Sequence, residues 1–395
     1  MSGRALFCPP RRIRRGAALT LVFASVLVAG AATGSLPGSD GEREPDAART
    51  AAASRPDEVA RAAAEAMESG QSPVEAAQRA VSRSGDRWGA VYSKGEYEEF
   101  EDALDGEYTG VGLWARRERS GRVEVTEVRS GSPAADAGIR AGDRLRSIDG
   151  RSVDGLPVTE VVALLRGDAG DADAPDASAG STVRLGVERG TRAWSLTLRR
   201  ARLSTDSVTV RRLADGATVI KVAAFTKGSG DAVRAAVRQA PSGDGVILDL
   251  RGNPGGLVTE AVTAASAFLD GGLVATYDVE GEQQALHAEP DGDTTRPLVT
   301  LVDGGTMSAA ELLTGALQDR GRAVVVGSRT FGKGSVQMPR ELPDGSVAEL
   351  TVGHYRTPAG RGVDGEGITP DLEAGREALS RAETVLGGLG QQDPG

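Results

Sequence analysis

The sequence predicts a multidomain α+β chain: an N-terminal helical segment, a mostly β unit, and a layered α/β core. Three observations carry this. Residues 56–83 are Ala-rich with Glu and Arg interspersed, and Pro56 and Pro73 stand where first-turn prolines belong. From Gly110 the apolar period falls to two, as in Val123, Val125 and Val128. From Ser207 onward, short apolar runs alternate with helical stretches, the pattern of strands covered by helices.

Taken in order, the chain divides at 1–36, 37–55, 56–107, 108–200, 201–380 and 381–395. Arg11 to Arg15 followed by the apolar run Ala17 to Ala32 reads as an export signal. That run suits a signal-peptide core and is short of the roughly 20 residues a bilayer span needs. Extended to Leu36 it serves as a signal anchor. Either way the positive-inside rule sends the body out of the cytoplasm, so the expected location is extracytoplasmic, secreted or membrane-anchored by this segment. Residues 37–55 form a Gly/Pro/acid/Ala linker. Asp57 to Ser69, Pro73 to Arg83 and Glu96 to Leu104 are expected helices.

Composition excludes several function classes. The 39% hydrophobic content supports real cores and argues against disorder. The net charge is −10, and residues 1–39 hold five arginines and no acid, so the rest carries −15. Such a body repels nucleic acid. A single cysteine, Cys8, allows no internal disulfide and no cysteine metal site. His287 and His354 are the two histidines, which makes a His-rich zinc site a poor expectation. No cofactor is expected. Of 46 cationic residues four are lysines, at 94, 221, 227 and 333, and 42 are arginines. Arg serves wherever a plain charge suffices, and only Lys can give up its proton on burial.

Between 110 and 200 the order is strand, turn, short helix (SPAADAGI), strand (AGDRLRSIDG), turn, and a longer helix at Thr159 to Arg166. This resembles the second half of a PDZ domain, with GVGL at Gly110, Val111, Gly112 and Leu113 resembling the loop that holds a peptide carboxylate. Glycines let successive N–H groups converge on such an anion. Val161, Val162 and Leu165 are expected to line the groove. Residues 168–180, DAGDADAPDASAG, read as a flexible acidic insertion; a Ca²⁺ loop lacks the Gly and Glu it would need. Val183 to Glu188 and Ala193 to Leu198 close the unit.

In the core, Val219 to Phe225, Gly245 to Asp249, Leu298 to Val302, Ala323 to Val326 and Val347 to Val352 are expected strands. Asp231 to Ala240, Leu257 to Leu269 and Ser308 to Asp319 are expected helices. Ser308-Ala-Ala-Glu311 fits a capping box, so Ser308 reads as a helix cap and, compatibly, as a nucleophile at a helix N-terminus. Lys333 lies between two glycines after a buried strand. A lysine desolvated there would lose charge and act as base, the Ser–Lys form of the serine triad. Neither histidine has motif context for a Ser–His–Asp arrangement, and GKGS lacks the rest of a P-loop. Oxyanion donors are expected from the N–H of Ala309 and from Gly255 or Gly256 in the turn RGNPGG.

The runs LDLRGNPGG, SAAEL…GALQDRGRAVVVGSRTFGKGSVQ and YRTPAGRGVDGEGITPD resemble the carboxyl-terminal processing peptidases, from about Arg83 to Leu372. The resemblance implies a PDZ domain beside a core of the ClpP/crotonase type. It implies a serine endopeptidase with Ser308 as nucleophile, Lys333 as base, Gln337 assisting the lysine, and Asp319 as a further candidate that reads better as structural. The implied partners are protein or peptide substrates with a free, apolar C-terminus. Met307 and Gly252 depart from the family pattern without removing a reacting group. A catalytically silent PDZ scaffold and an acyl-CoA enzyme are the alternatives; the intact Ser308, Lys333 and Gln337 speak against the first, the PDZ unit and export signal against the second.

Overall fold

The computed structural model describes residues 56–118, 120–167, 179–214, 216–279 and 282–390. The export signal, the 37–55 linker, nearly all of the acidic insertion and the last five residues lie outside them.

The first two helices, α1 (Pro56–Glu68) and α2 (Pro73–Ser84), form a hairpin. Ser72 caps α2, accepting the Glu75 N–H at 3.3 Å, and Pro73 occupies the first turn; such a cap stabilises a helix by about 1 kcal/mol. The hairpin is not a separate domain. Val59, Ala63, Ala77 and Val81 bury against Leu342, Ala348 and Leu350 from far along the chain. Strand β1 (Ala90–Tyr92) then joins the edge of a sheet built from those late residues. Helix α3 (Lys94–Leu104) opens with a capping box from Ser93 and Glu96.

Strand β2 (Glu107–Gly110) enters the β unit. This unit comprises β3 (Leu113–Arg117), β4 (Val123–Val128), short helix α4 (Pro133–Asp136), β5 (Arg144–Ile148) and β6 (Arg151–Ser152), followed by α5 (Val158–Arg166), β7 (Thr182–Arg189) and β8 (Arg192–Arg199). Its sheet runs β3-β4-β5-β7-β8, with β6 on β5. The period-two residues Val123 and Val125 point into its core with Leu145, Ile148 and Leu185. Buried Arg200 donates to the Leu164 and Leu165 carbonyls and fixes the end of α5. Val161 and Leu165, expected in a groove, instead pack into this core, because α5 turns its most apolar stripe toward the sheet; Val162 stays partly exposed. Strand β9 (Ala201–Ser204) pairs antiparallel with β2 and closes the unit at its root.

The core sheet has β10 (Val208–Arg212), β11 (Thr218–Val222), β12 (Val246–Asp249), β15 (Leu298–Val302), β16 (Val324–Gly327) and β19 (Leu372–Glu373), in that order. All but β10 run parallel. Both faces are covered, so β12 and β15 are buried at every residue rather than alternating, with Asp249 and Thr300 their two polar members. Helices α6 (Ser229–Gln239), α7 (Val258–Ala265) and α8 (Ala309–Asp319) cover one face; α9 (Ala378–Leu389) covers the other through Ala382 and Leu386. Residues up to Leu389 therefore belong to the core, and the polar tail starts later than 381. Helix α7 stops at Ala265, short of the expected Leu269, and the chain continues in turns.

A second sheet lies behind α8. It contains β13 (Leu273–Val279), β14 (Glu282–His287), β17 (Ser335–Glu341) and β18 (Val347–Arg356), with β1 added to β18. Ala275 and Tyr355 from this sheet share a core with α8, whose residues Ala309 to Leu317 are all buried. Among the described residues no helix is long and apolar enough to cross a membrane.

Candidate active site

Two parallel strands deliver the nucleophile side. The RGNPGG turn follows β12, and the loop carrying Ser308 follows β15, so both sit at carboxyl ends of neighbouring strands, where open α/β sheets bind ligands. The two loops are knitted together. Asp303 accepts the N–H groups of Gly252 (2.8 Å) and Gly305 (2.9 Å), and the Met307 N–H donates to the Asn253 carbonyl (2.9 Å). Asn253, fully buried, donates from its amide to the Val222 carbonyl (3.0 Å). Asp249 is buried at the end of β12, and burial alone would raise it. The bidentate Arg251 guanidinium outweighs this and holds the carboxyl below its ordinary value.

Ser308 sits at φ 52°, ψ −119°, a conformation that side-chain-bearing residues avoid and that concentrates at functional sites. Its neighbours hold it there. The Ser308 N–H donates to Glu311 Oε2 (2.9 Å), and its carbonyl accepts from the Glu311 N–H (2.8 Å), the Leu312 N–H (3.0 Å) and the Tyr355 hydroxyl (3.1 Å). The Ala309 N–H has no acceptor among the described residues, as expected of an oxyanion donor at a helix start.

The glycine turn needs its glycines. A Cβ on Gly255, at φ 100°, would lie 2.9 Å from Ser308 Cβ and 3.1 Å from Ala309 N. On Gly256, at φ 123°, it would lie 2.3 Å from the Phe225 carbonyl oxygen. Of the two candidates, Gly255 does not offer its N–H, because Asn253 Oδ1 takes it at 2.8 Å in a local turn. Of the two glycines, Gly256 is the one whose N–H is without an acceptor among the described residues.

The base side is built differently. Lys333 lies between β16 and β17, and its own N–H donates to Glu311 Oε2 (2.9 Å). Glu311 Oε1 accepts the Gly332 N–H (2.7 Å) and the Thr330 hydroxyl (2.5 Å). One fully buried carboxylate therefore ties the backbone of Ser308 to that of Lys333. Burial raises Glu311 above the usual carboxylate range, and these four donors act against the rise. Burial also pushes the Lys333 amine below the ordinary lysine value; Glu349, Asp86, Asp364 and Glu311 pull the other way. Glu349 is raised by the same burial and lowered by Lys333. Lys333 Nζ stands 5.2 Å from the centre of the Trp88 ring, and no hydrogen bond joins it to the Ser308 hydroxyl among the described residues.

Gln337 donates to Ser335 Oγ (2.7 Å) and to Thr351 Oγ1 (3.4 Å), one strand over from Lys333. Asp319 does not join this group. It ends α8, eleven residues from Ser308, or about 16 Å at 1.5 Å per residue. There its carboxylate accepts from the Ala359 N–H (2.9 Å) and from Arg361, so it anchors the loop after β18 and is structural. In the β unit, Gly112 (φ 76°) packs against Ser132, where a Cβ would come within 2.3 Å. The carbonyls of Val111 and Gly112 accept from Ala134 and Arg129, both at 2.9 Å, while the N–H groups of the same two residues have no acceptor among the described residues. Gly110 pairs with Ala201 at the end of β2, and Leu113 opens β3.

Three residues escaped sequence reasoning. Glu311 looked like half of a capping box, although a charge inside an otherwise apolar helix already demands partners. Trp88 and Asp86 carry no local signal at all.

Residues 216–374 match peptidase family S41 and residues 124–172 match the PDZ domain, so the chain carries an S41 peptidase domain and a PDZ domain. It is 32% identical over 280 residues to the carboxy-terminal processing protease CtpA of Bacillus subtilis, covering 70% of this chain and 58% of that one. It is 35% identical over 311 residues to the chloroplastic carboxyl-terminal-processing peptidase 3 of Arabidopsis thaliana, covering 74% and 58%. The chain thus spans somewhat under two thirds of these relatives. A solved S41-family chain from Bacteroides fragilis shares the fold at a TM-score of 0.53 and 18% identity, covering 90% of this chain and 98% of its own.

Proposed function

We propose that the chain is an exported serine endopeptidase that grips the C-terminus of a protein substrate with its PDZ unit and cuts peptide bonds with Ser308 and Lys333. The observation that supports this most is the shared anchor: Glu311 takes the N–H of both reacting residues, beside two donors without acceptors, Ala309 and Gly256.

The neutral Lys333 amine takes the Ser308 proton as the hydroxyl oxygen attacks the substrate carbonyl. The oxyanion develops toward the N–H groups of Ala309 and Gly256. Lys333, now an ammonium, hands its proton to the leaving amine, and an acyl-Ser308 ester remains. Water, deprotonated by the same amine, attacks the ester; as the acyl C–O bond to Ser308 breaks, the Lys333 ammonium returns the proton to the Ser308 oxygen and the new C-terminus is freed. Gln337 assists the lysine once the substrate arrives. The N–H groups of Val111 and Gly112 receive the substrate's terminal carboxylate, with an apolar last side chain against the β unit. The N-terminal segment places the enzyme outside the cytoplasm, and the PDZ unit gates the site.

A fluorophosphonate probe is expected to add to Ser308 and to no other serine, and Ser308→Ala is expected to lose cleavage of a peptide ending in apolar residues. The same peptide amidated at its C-terminus should be cut far more slowly through a raised KM. A Ser308→Ala protein that still turns over would overturn the assignment and leave the binding-module alternative excluded as well.

A further inference from the structure

The base of this site rests on an aromatic face. Lys333 Nζ lies 5.2 Å from the Trp88 ring centre, inside the roughly 6 Å within which an ammonium is attracted to an indole face. Trp88 is held firmly. Asp86 accepts the Trp88 N–H (3.1 Å) and the Gly89 N–H (2.9 Å), and it accepts the N–H (2.8 Å) and hydroxyl (2.7 Å) of Thr351 on β18. Gly89 is required for that approach, since a Cβ there would lie 2.7 Å from Val81. Phe331, two residues before the lysine, packs on the same indole at 5.7 Å. Trp88 is therefore clamped between the segment after α2 and the strand that borders the base.

We propose that Trp88 is a positioning residue for the base: its ring holds the Lys333 ammonium off the Ser308 hydroxyl, and only the neutral amine is released to the nucleophile. This rests on the reading of Lys333 as base. An indole face attracts a cation and has no comparable hold on a neutral amine. The resting form is then protonated and parked, and loss of the proton both activates the amine and frees it. The charges facing Lys333 are Glu349 on β18, Asp86 after α2, Asp364 in the loop after β18 and Glu311 on α8. Arg87 stacks on the same indole at 4.7 Å, and His354 stands 3.8 Å from Asp364. The four carboxylates also favour the ammonium; Trp88 is the one aromatic face beneath it among the described residues.

The test uses the whole protein and reads the amine directly. Trace acetylation with acetic anhydride, followed by mass spectrometry, gives the reactivity of each lysine against pH. Trp88→Leu is expected to make Lys333 about fivefold more reactive near pH 7, as loss of one cation–π contact implies. Trp88→Phe, whose face is weaker than indole but still present, should fall between. Lys221, partly exposed on β11 with its amine donating to the Arg251 carbonyl, is the internal reference in the same spectrum and should not change unless the fold is perturbed. If Lys221 rises in Trp88→Leu, the Phe variant alone is read against the native chain. Equal Lys333 reactivity with an indole and with the smaller face overturns the proposal. Because labelling needs no turnover, a Lys333→Met enzyme that still cleaves peptide would sink the dyad while leaving this result standing.

Discussion

The two halves of the site are built on opposite principles. The Ser308 half stands on adjacent loops of one parallel sheet, and hydrogen bonds to Asn253, Asp303, Glu311 and Tyr355 fix its backbone around the two N–H groups, of Ala309 and Gly256, that have no acceptor among the described residues. The Lys333 half is assembled from distant pieces. Trp88 and Asp86 come from the N-terminal segment, Glu349 and Thr351 from β18, and Glu311 from α8. Hydrogen bonds hold the lysine's backbone, while its amine is governed by burial and by charge. The proposed nucleophile is thus positioned by short-range backbone hydrogen bonds, which are fixed once the core folds. The base is positioned by electrostatics, which respond to pH and to whatever enters the site.

The sharpest way to break this contrast is Lys333→Arg. It keeps the charge and removes the neutral form, so kcat should fall by about 10³-fold or more, with fluorophosphonate labelling of Ser308 falling alongside. Normal turnover would mean that charge alone matters on the base side. On the nucleophile side, Gly256→Ala sets a Cβ against the Phe225 carbonyl at a left-handed φ, and kcat should drop about 10²-fold with KM little changed. A pure KM effect there would move the oxyanion donor elsewhere.

Glu311→Gln tests the joint between the halves. An amide accepts on one atom only, so either the Ser308 and Lys333 N–H groups or the Gly332 N–H and Thr330 hydroxyl lose their acceptor, and the protein should lose about 2 kcal/mol in chemical denaturation. The pH profile sharpens the electrostatic side. Since burial lowers Lys333, the rise of kcat/KM with pH should reach its midpoint below the ordinary lysine value of about 10.4. The same sign makes the ammonium a liability for folding, so this group's contribution to stability grows as pH climbs from its folded value toward the unfolded one. An alkaline midpoint at or above the ordinary value would show that the carboxylates outweigh burial. Asp319→Asn should do least: kcat/KM within about twofold and about 1 kcal/mol of stability from the Arg361 contact.

Much of the nucleophile half was legible because it is local. A serine before a buried helix, a Gly-Gly turn after an apolar strand and a strand–helix alternation are all short-range patterns, and the parallel core follows from them. Lys333 was legible as a lysine in an arginine-rich chain. The choice between Gly255 and Gly256 was not, because it turns on one side-chain hydrogen bond from Asn253. Asp319 already read better as structural from its place at the end of its helix, and the structure supplies its partners there, the Ala359 N–H and Arg361. Strands β1 and β14 are among those missed: β1 is three residues long and β14 is exposed along almost its whole length, so neither shows the apolar alternation of a strand.

By itself the sequence determined the two kinds of domain and their order, since those are written in period and turn residues, and through its family resemblance it singled out Ser308 and Lys333 as the proposed reacting pair. Tertiary structure alone decided what surrounds the base. Residues 86–92 meet β18 only because the α1–α2 hairpin buries its apolar face on β17 and β18, some 260 residues away in the chain. Hydrophobic burial is non-directional and leaves no short-range mark of its partner. The partner that places Trp88 over Lys333 is therefore invisible until the chain has folded.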